Sequence, residues 1–138
     1  MAKTVSGKEI ANRISAQLLE EIKRNKLKIS LAVVLIGQNP VSLSYIKIKE
    51  KKAEELGINF KLFKFHENIQ EKKITDLIKR LNIDKKVNGI IIQLPIPRNL
   101  NKDKILNSAS PVKDVDGLTA KNLGNLFQGE RACVQLLP

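Results

Sequence analysis

The chain has one cysteine, Cys133, one histidine, His66, one tyrosine, Tyr45, and no tryptophan, and each scarcity removes a class of function. A lone thiol cannot build a disulfide framework, and one thiol with one imidazole cannot supply a zinc ligand set, so no metal site is expected. A Ser-His-Asp or Cys-His nucleophilic site would have to use His66, which closes a β-rich run and reads as a strand-end residue without a chemical role. Aromatic residues are 4% of 138, too sparse for a base-stacking platform. The longest apolar run, "LAVVLI" at 31–36, cannot span a bilayer, and the N-terminus lacks a signal-peptide core. No membrane partner is expected, and a cytoplasmic location is the default.

Positive charge is what the chain has in excess, with a formal net charge of +11. Lysine supplies nearly all of it, because Arg13, Arg24, Arg80, Arg98 and Arg131 are the only arginines. Base reading and bidentate phosphate contacts favour arginine. The lysines are also interleaved with glutamates, as in "KEKKAEE", rather than gathered into one arm. Most therefore form a solubilising surface that attracts anionic ligands, and nucleic acid is not the expected partner. A basic nucleic-acid-binding protein is the rival that charge alone supports, and it demands steeply salt-dependent affinity.

Helical and extended patterns alternate along the chain. Ser6 and Glu9 have capping-box spacing, and Ile10, Ile14, Leu18 and Ile22 then predict an amphipathic helix to about Arg24. "SLAVVLIG" is apolar on both faces, as a central parallel strand must be. Asn39, Pro40 and Gly57 bracket a second helix as cap, first residue and terminator. "INFKLFKF" reads as a strand nearer an edge, Ile74, Leu77, Ile78 and Leu81 mark a third helix, and "VNGIIIQLP" is another buried strand stopped by "PIP". Shorter helices in "KDKILNSA" and "TAKNLGNLF" flank the polar loop "SPVKDVDG". One domain over residues 1–138 is expected, a three-layer α/β/α arrangement with a mostly parallel sheet and ligands at the carboxyl ends of the strands.

One lysine breaks the pattern. At about 100° per residue, Lys47, Glu50, Lys51, Glu54 and Glu55 form the polar face of the second helix, and Val41, Ile46, Ile48, Ala53 and Leu56 the apolar one. Lys49 falls within the apolar side, on one stripe with Ser42 and Tyr45. Desolvation disfavours a charged amine and lowers its pKa, so such a lysine can exchange protons near neutrality. Gln93, at the end of the third predicted strand with Leu94 and Pro95, can hydrogen-bond that amine without adding a countercharge. Tyr45 offers a ring face and a hydroxyl, and Asp116 can accept paired N–H donors from an amidine-like heterocycle edge, with Gly117 permitting close approach. Spacing alone leaves the plainer readings open: a snorkelling Lys49, a core Tyr45, a Gln93 that satisfies backbone, and "DVDG" as a turn.

Family likeness narrows these alternatives. "VLIGQNPVSLSYIKIKEKKAEELGI", "VNGIIIQLPIP" and "SPVKDVDGLTAKNLGNLFQG" resemble, in order, the signatures of the bifunctional methylenetetrahydrofolate dehydrogenase/methenyltetrahydrofolate cyclohydrolase family. The resemblance implies an amino-acid-dehydrogenase-like N-terminal domain, with Lys49 as catalytic lysine, Tyr45 as folate-stacking tyrosine, Gln93 as the group tuning the lysine and Asp116 as the pterin holder. It extends the substrate contacts to Ser42, Leu94, Pro95 and Gly117, with Ser42 in a supporting role. It further implies a folate substrate, polyglutamylated forms included, NADP or NAD as cofactor of a homodimeric full-length parent, and a place in one-carbon metabolism and purine biosynthesis. Gly7, Gly37, Gly57, Gly89, Gly117, Gly124 and Gly129 form no dinucleotide fingerprint. The chain is therefore expected to carry the folate-binding catalytic domain without the NAD(P) Rossmann domain, to bind neither cofactor tightly, and to lack dehydrogenase activity by itself. A folate-binding module without turnover is the alternative.

Overall fold

The computed structural model describes residues 5–130, so Cys133 and the closing "CVQLLP" lie outside the described residues. Three strands, β1 (Ser30–Ile36), β2 (Asn59–Phe65) and β3 (Gly89–Ile92), form a parallel sheet in the order β2-β1-β3. Helix α2 (Pro40–Glu55) joins β1 to β2, and α3 (Glu71–Ile83) carries the chain back past β1 to β3. Right-handed crossovers running in opposite directions along a sheet put their helices on opposite faces. The packing follows that rule. Side chains alternate along a strand; Ala32, Val34, Ile36, Ile90 and Ile92 pack with α3, whereas Val33, Leu35 and Ile91 pack with Ile46 of α2. The register Ala32↔Ile90, Val33↔Ile91 and Val34↔Ile92 keeps those sets on their faces.

The expected core of α3 is present: Ile74, Leu77, Ile78 and Leu81 are all buried. On α2 the expectation is only partly met. Ile46, Ala53 and Leu56 are buried, but Val41 and Ile48 are 62% and 65% exposed, because the helix touches the sheet along a stripe narrower than the apolar residues suggested. Asn39 caps α2 through Oδ1, which accepts from the N–H groups of Val41 at 3.0 Å and Ser42 at 3.1 Å. Helix α1 (Gly7–Arg24) begins at the expected Ser6 cap yet buries none of its residues. His66 follows β2 directly, and its Nδ1 accepts the Asn68 N–H at 3.3 Å, a local turn bond.

The remaining segment closes the open edge of β3. Helix α4 (Lys102–Leu106) adds Ile105 and Leu106 to the α3-side core, and α5 (Ala120–Phe127) is capped by Thr119. Between them the loop docks on β3: Ile90 N–H donates to Lys113 O at 2.7 Å and Val115 N–H to Ile90 O at 3.2 Å, forming a parallel bridge between Ile90 and Asp114. Gly89 makes this approach possible, since a Cβ there would stand 2.5 Å from Val115 Cγ2. No helix among the described residues is long and apolar enough to cross a membrane.

Candidate functional site

Strand alternation brings the first pair together. Gln93 follows β3 two residues after Ile91 and so shares its face, the one covered by α2. Lys49 projects from the middle of α2 over that face, and its Nζ donates to Gln93 Oε1 at 3.2 Å across a sequence separation of 44. The amide is held in one orientation, because Gln93 Nε2 donates to Leu94 O at 2.9 Å and leaves Oε1 toward the lysine. Ser42 is sealed beneath, 1% exposed, and its hydroxyl donates to the same Leu94 carbonyl at 3.0 Å. A buried serine at the head of α2 thus braces the carbonyl that orients the glutamine.

Asp116 arrives from the opposite side. The β3-docked loop turns at Gly117, whose φ of +67° is the left-handed region glycine tolerates best, and the Asp116 carboxylate stands 4.0 Å from Lys49 Nζ. Gln93 meets the lysine as a neutral partner, as expected, and Asp116 adds a countercharge beside it: the side chains of Lys49 and Asp116 are 27% and 11% exposed and face each other as a loose pair. Burial is the main influence on Asp116 and lifts its pKa above the ordinary carboxylate value, Lys49 pulls against that rise, and Asp114 adds to it. The distance at which the loop brings its carboxylate to the lysine is set by the docking of the loop on β3.

Around this pair lies a groove of about 520 Å³, lined by Ile48, Lys49, Lys52, Ala53, Val115 and Asp116 among others. Tyr45, one turn before Lys49 on α2, is 49% exposed, its ring available to the solvent side. A second cleft of about 530 Å³ lies at the carboxyl ends of the strands, between Gly37, Asn39, Glu67, Pro95, Pro97 and Arg98. Only the first groove reaches Lys49 and Asp116, which makes it the one suited to chemistry. Of the expected residues, Ser42, Lys49, Gln93, Leu94, Asp116 and Gly117 converge; Tyr45 borders them, and Pro95 faces the second cleft.

The same architecture bears on a dinucleotide. The turn from β1 into α2 reads Gly37-Gln38-Asn39-Pro40, and the first free N–H groups of α2 are already taken by Asn39 Oδ1. A pyrophosphate needs such N–H groups unclaimed and a glycine-rich approach. The described residues therefore do not fit a nicotinamide dinucleotide at this helix. No group of three or more His, Cys, Asp or Glu side chains that could hold a metal ion occurs among them either.

Comparison with known proteins gives a consistent picture. The family model for the tetrahydrofolate dehydrogenase/cyclohydrolase catalytic domain matches residues 5–116. The Bifunctional protein FolD of Anoxybacillus flavithermus is 39% identical over 140 residues, which cover 99% of this chain and 50% of that protein. Among solved structures, the bifunctional FolD methylenetetrahydrofolate dehydrogenase/cyclohydrolase of Campylobacter jejuni superposes with a TM-score of 0.85 at 40% identity, over 91% of this chain and 45% of that one. The Trypanosoma brucei methylenetetrahydrofolate dehydrogenase-cyclohydrolase, solved with NADP cofactor and inhibitor, gives 0.86 at 26% identity over 96% and 47%. The chain spans about half the length of the curated relatives it matches.

Proposed function

The chain belongs to the tetrahydrofolate dehydrogenase/cyclohydrolase catalytic-domain family, and from that premise we propose that it supplies the folate-binding half of a one-carbon enzyme, with Lys49 as the proton-handling group. The full reaction would oxidise methylenetetrahydrofolate with NADP, or NAD, and then hydrolyse the methenyl product to formyltetrahydrofolate. One observation carries the reading: a lysine amine fixed between the Gln93 amide oxygen at 3.2 Å and the Asp116 carboxylate at 4.0 Å.

Each side chain then has work suited to its chemistry. Asp116 accepts N–H donors of the pterin edge, a charge-assisted pairing that also draws the carboxylate's charge away from Lys49. The lysine, oriented by Gln93, takes a proton from the water that adds to the methenyl carbon and returns one to the ring nitrogen as the carbon–nitrogen bond breaks, while the remaining hydroxyl proton leaves to solvent as the formyl C=O forms. Tyr45 stacks on the ligand from the open side, while Leu94, Pro95 and Gly117 frame it and Ser42 braces the Leu94 carbonyl. Cytoplasmic folates, polyglutamylated ones included, are the substrates, a homodimer is the working form of the full-length parent, and purine biosynthesis is a consumer of its product.

The test follows methenyltetrahydrofolate hydrolysis by absorbance with the purified chain and Lys49→Gln. We expect acceleration by the chain and a loss of about 100- to 10,000-fold in the variant, the range for a positioned acid–base group. Folate binding without any acceleration would favour the binding-module reading, and undiminished hydrolysis by Lys49→Gln would overturn the role of the lysine. The same mixtures with NADP or NAD and methylenetetrahydrofolate should show no cofactor reduction.

A further inference from the structure

Two acids stand in the loop at 113–117, and only Asp116 faces Lys49. Asp114 is 6% exposed, and its Oδ2 accepts the Thr119 N–H at 2.8 Å and Asn122 Nδ2 at 2.9 Å. The Asn122 amide also donates to Pro111 O at 2.9 Å, so one buried side chain on α5 grips the loop at two points. Lys113 is tied the other way, donating to Leu81 O at 2.9 Å and Asp84 O at 2.7 Å at the end of α3. The loop backbone is meanwhile bonded to Ile90 of β3.

We infer that Asn122 is a positioning residue, one that sets through Asp114 and the Pro111 carbonyl where Asp116 stands relative to Lys49, and with it the affinity for the pterin edge. This rests on the folate reading of Asp116 given above. A buried carboxylate tolerates its charge only while donors face it. Without the Asn122 amide, Asp114 keeps the single Thr119 N–H and Pro111 O loses its donor. Moving the loop outward to water relieves both groups, and Asp116, two residues on, moves with it. Its 4.0 Å approach to Lys49 is already at the outer limit of an ion pair, so a small displacement is enough to undo it. A carboxylate released to solvent also loses the burial that lifts its pKa.

The experiment is a carbon-detected NMR titration of the Asp116 carboxylate in the whole chain, in Asn122→Ala and in Lys121→Ala, a control at an exposed position of α5. It is run beside thermal unfolding and tetrahydrofolate calorimetry. Asn122→Ala should still unfold cooperatively, titrate Asp116 at lower pH than the parent chain, and bind tetrahydrofolate about tenfold more weakly, the scale of one charge-assisted bond. Lys121→Ala should change neither property. An Asp116 titration and a tetrahydrofolate affinity both unmoved by Asn122→Ala would overturn the inference. If Asp116→Ala itself leaves affinity unchanged, the folate reading has failed, whereas the titration still decides whether Asn122 holds Asp116. Should Asn122→Ala fail to fold, Asn122→Ser, whose single hydroxyl donor cannot serve both Asp114 and the Pro111 carbonyl, should likewise titrate Asp116 at lower pH and bind tetrahydrofolate more weakly, and both properties unmoved would overturn the inference.

Discussion

The two faces of the sheet use their residues differently. On the α3 face, Ile74, Leu77, Ile78 and Leu81 meet Ala32, Val34, Ile36, Ile90 and Ile92, with Ile105 and Leu106 of α4 completing the layer. On the α2 face the buried cluster is Val33, Leu35, Ile46 and Ile91, beside a groove that admits Lys49 and Asp116. A closed apolar layer gains dispersion and solvent exclusion at every position, while a site must leave polar atoms reachable and so gives up part of both. Stability is therefore concentrated on one face and chemistry on the other. Because a single central strand serves both, the groove is held rigid by a core that takes no part in it.

Deleting the same side chain on each face tests this division most severely. Ile78→Ala removes a fully buried side chain from the closed layer and should cost about 3–5 kcal/mol, the upper part of the range for such truncations. Ile46→Ala, also buried but packed with Ile91, which lines the groove, should cost about 2–3 kcal/mol, because the open space beyond Ile91 lets the site relax. Chemical denaturation measures both. Equal losses would mean that the α2 face is packed as tightly as the other and that no such division exists.

A functional contrast of smaller size comes next. Asp116→Ala should weaken tetrahydrofolate binding by roughly tenfold or more, from the 1.5–3 kcal/mol typical of hydrogen bonds to charged groups. Ile78→Ala, assayed where it remains folded, should leave that affinity nearly unchanged. Calorimetry that finds the two variants equally impaired would show that the core and the site are not separable.

Much of this division was legible in the residues. Alternation in "GIIIQ" puts Gln93 on the face of Ile91, and helical spacing puts Lys49 on the inner side of α2, so their meeting followed from two periodicities. What was not legible depended on tertiary approach. Val41 and Ile48 lie at the far edge of the apolar side of α2, away from the stripe of Ser42, Ile46, Ala53 and Leu56 that meets the sheet, and how much of that side the sheet covers is a property of the packing. Likewise, "KDVDG" offers two acids in equivalent local settings. Only the docking on β3, permitted by Gly89, and the hold of Asn122 on Asp114 decide that Asp116 is the one turned to the lysine. The stripe of α1 reads as a core-facing surface, but the described residues bring no element against it closely enough to bury one of its side chains.

A still smaller effect separates the site from the surface by the sign of its pH dependence. Glu55, Glu71 and Asp76 have lowered pKa values, in each case chiefly through a hydrogen bond from lysine: Lys52, Lys104 and Lys72. A carboxyl with a depressed folded pKa contributes stability above its unfolded value and loses it as pH falls through the folded one. Glu55 is exposed and Glu71 and Asp76 are partly exposed, so solvent screening keeps their contribution small. Asp116 is shifted the other way, from 3.8 upward, mainly by burial. Its folded form binds a proton more readily than its unfolded form, so stability declines as pH rises from the unfolded value through the raised folded value. Above that window the ionised carboxylate is a standing cost, kept for what it does beside Lys49. Asp116→Asn removes the titration while preserving size, and subtracting its stability curve from that of the parent chain cancels the surface acids. The difference should be near constant below pH 3.8, shift in favour of the asparagine variant across the window, and level off near neutrality. A difference that moves in favour of the aspartate as pH rises would mean that attraction to Lys49 outweighs desolvation, and that the pair holds the groove together rather than straining it.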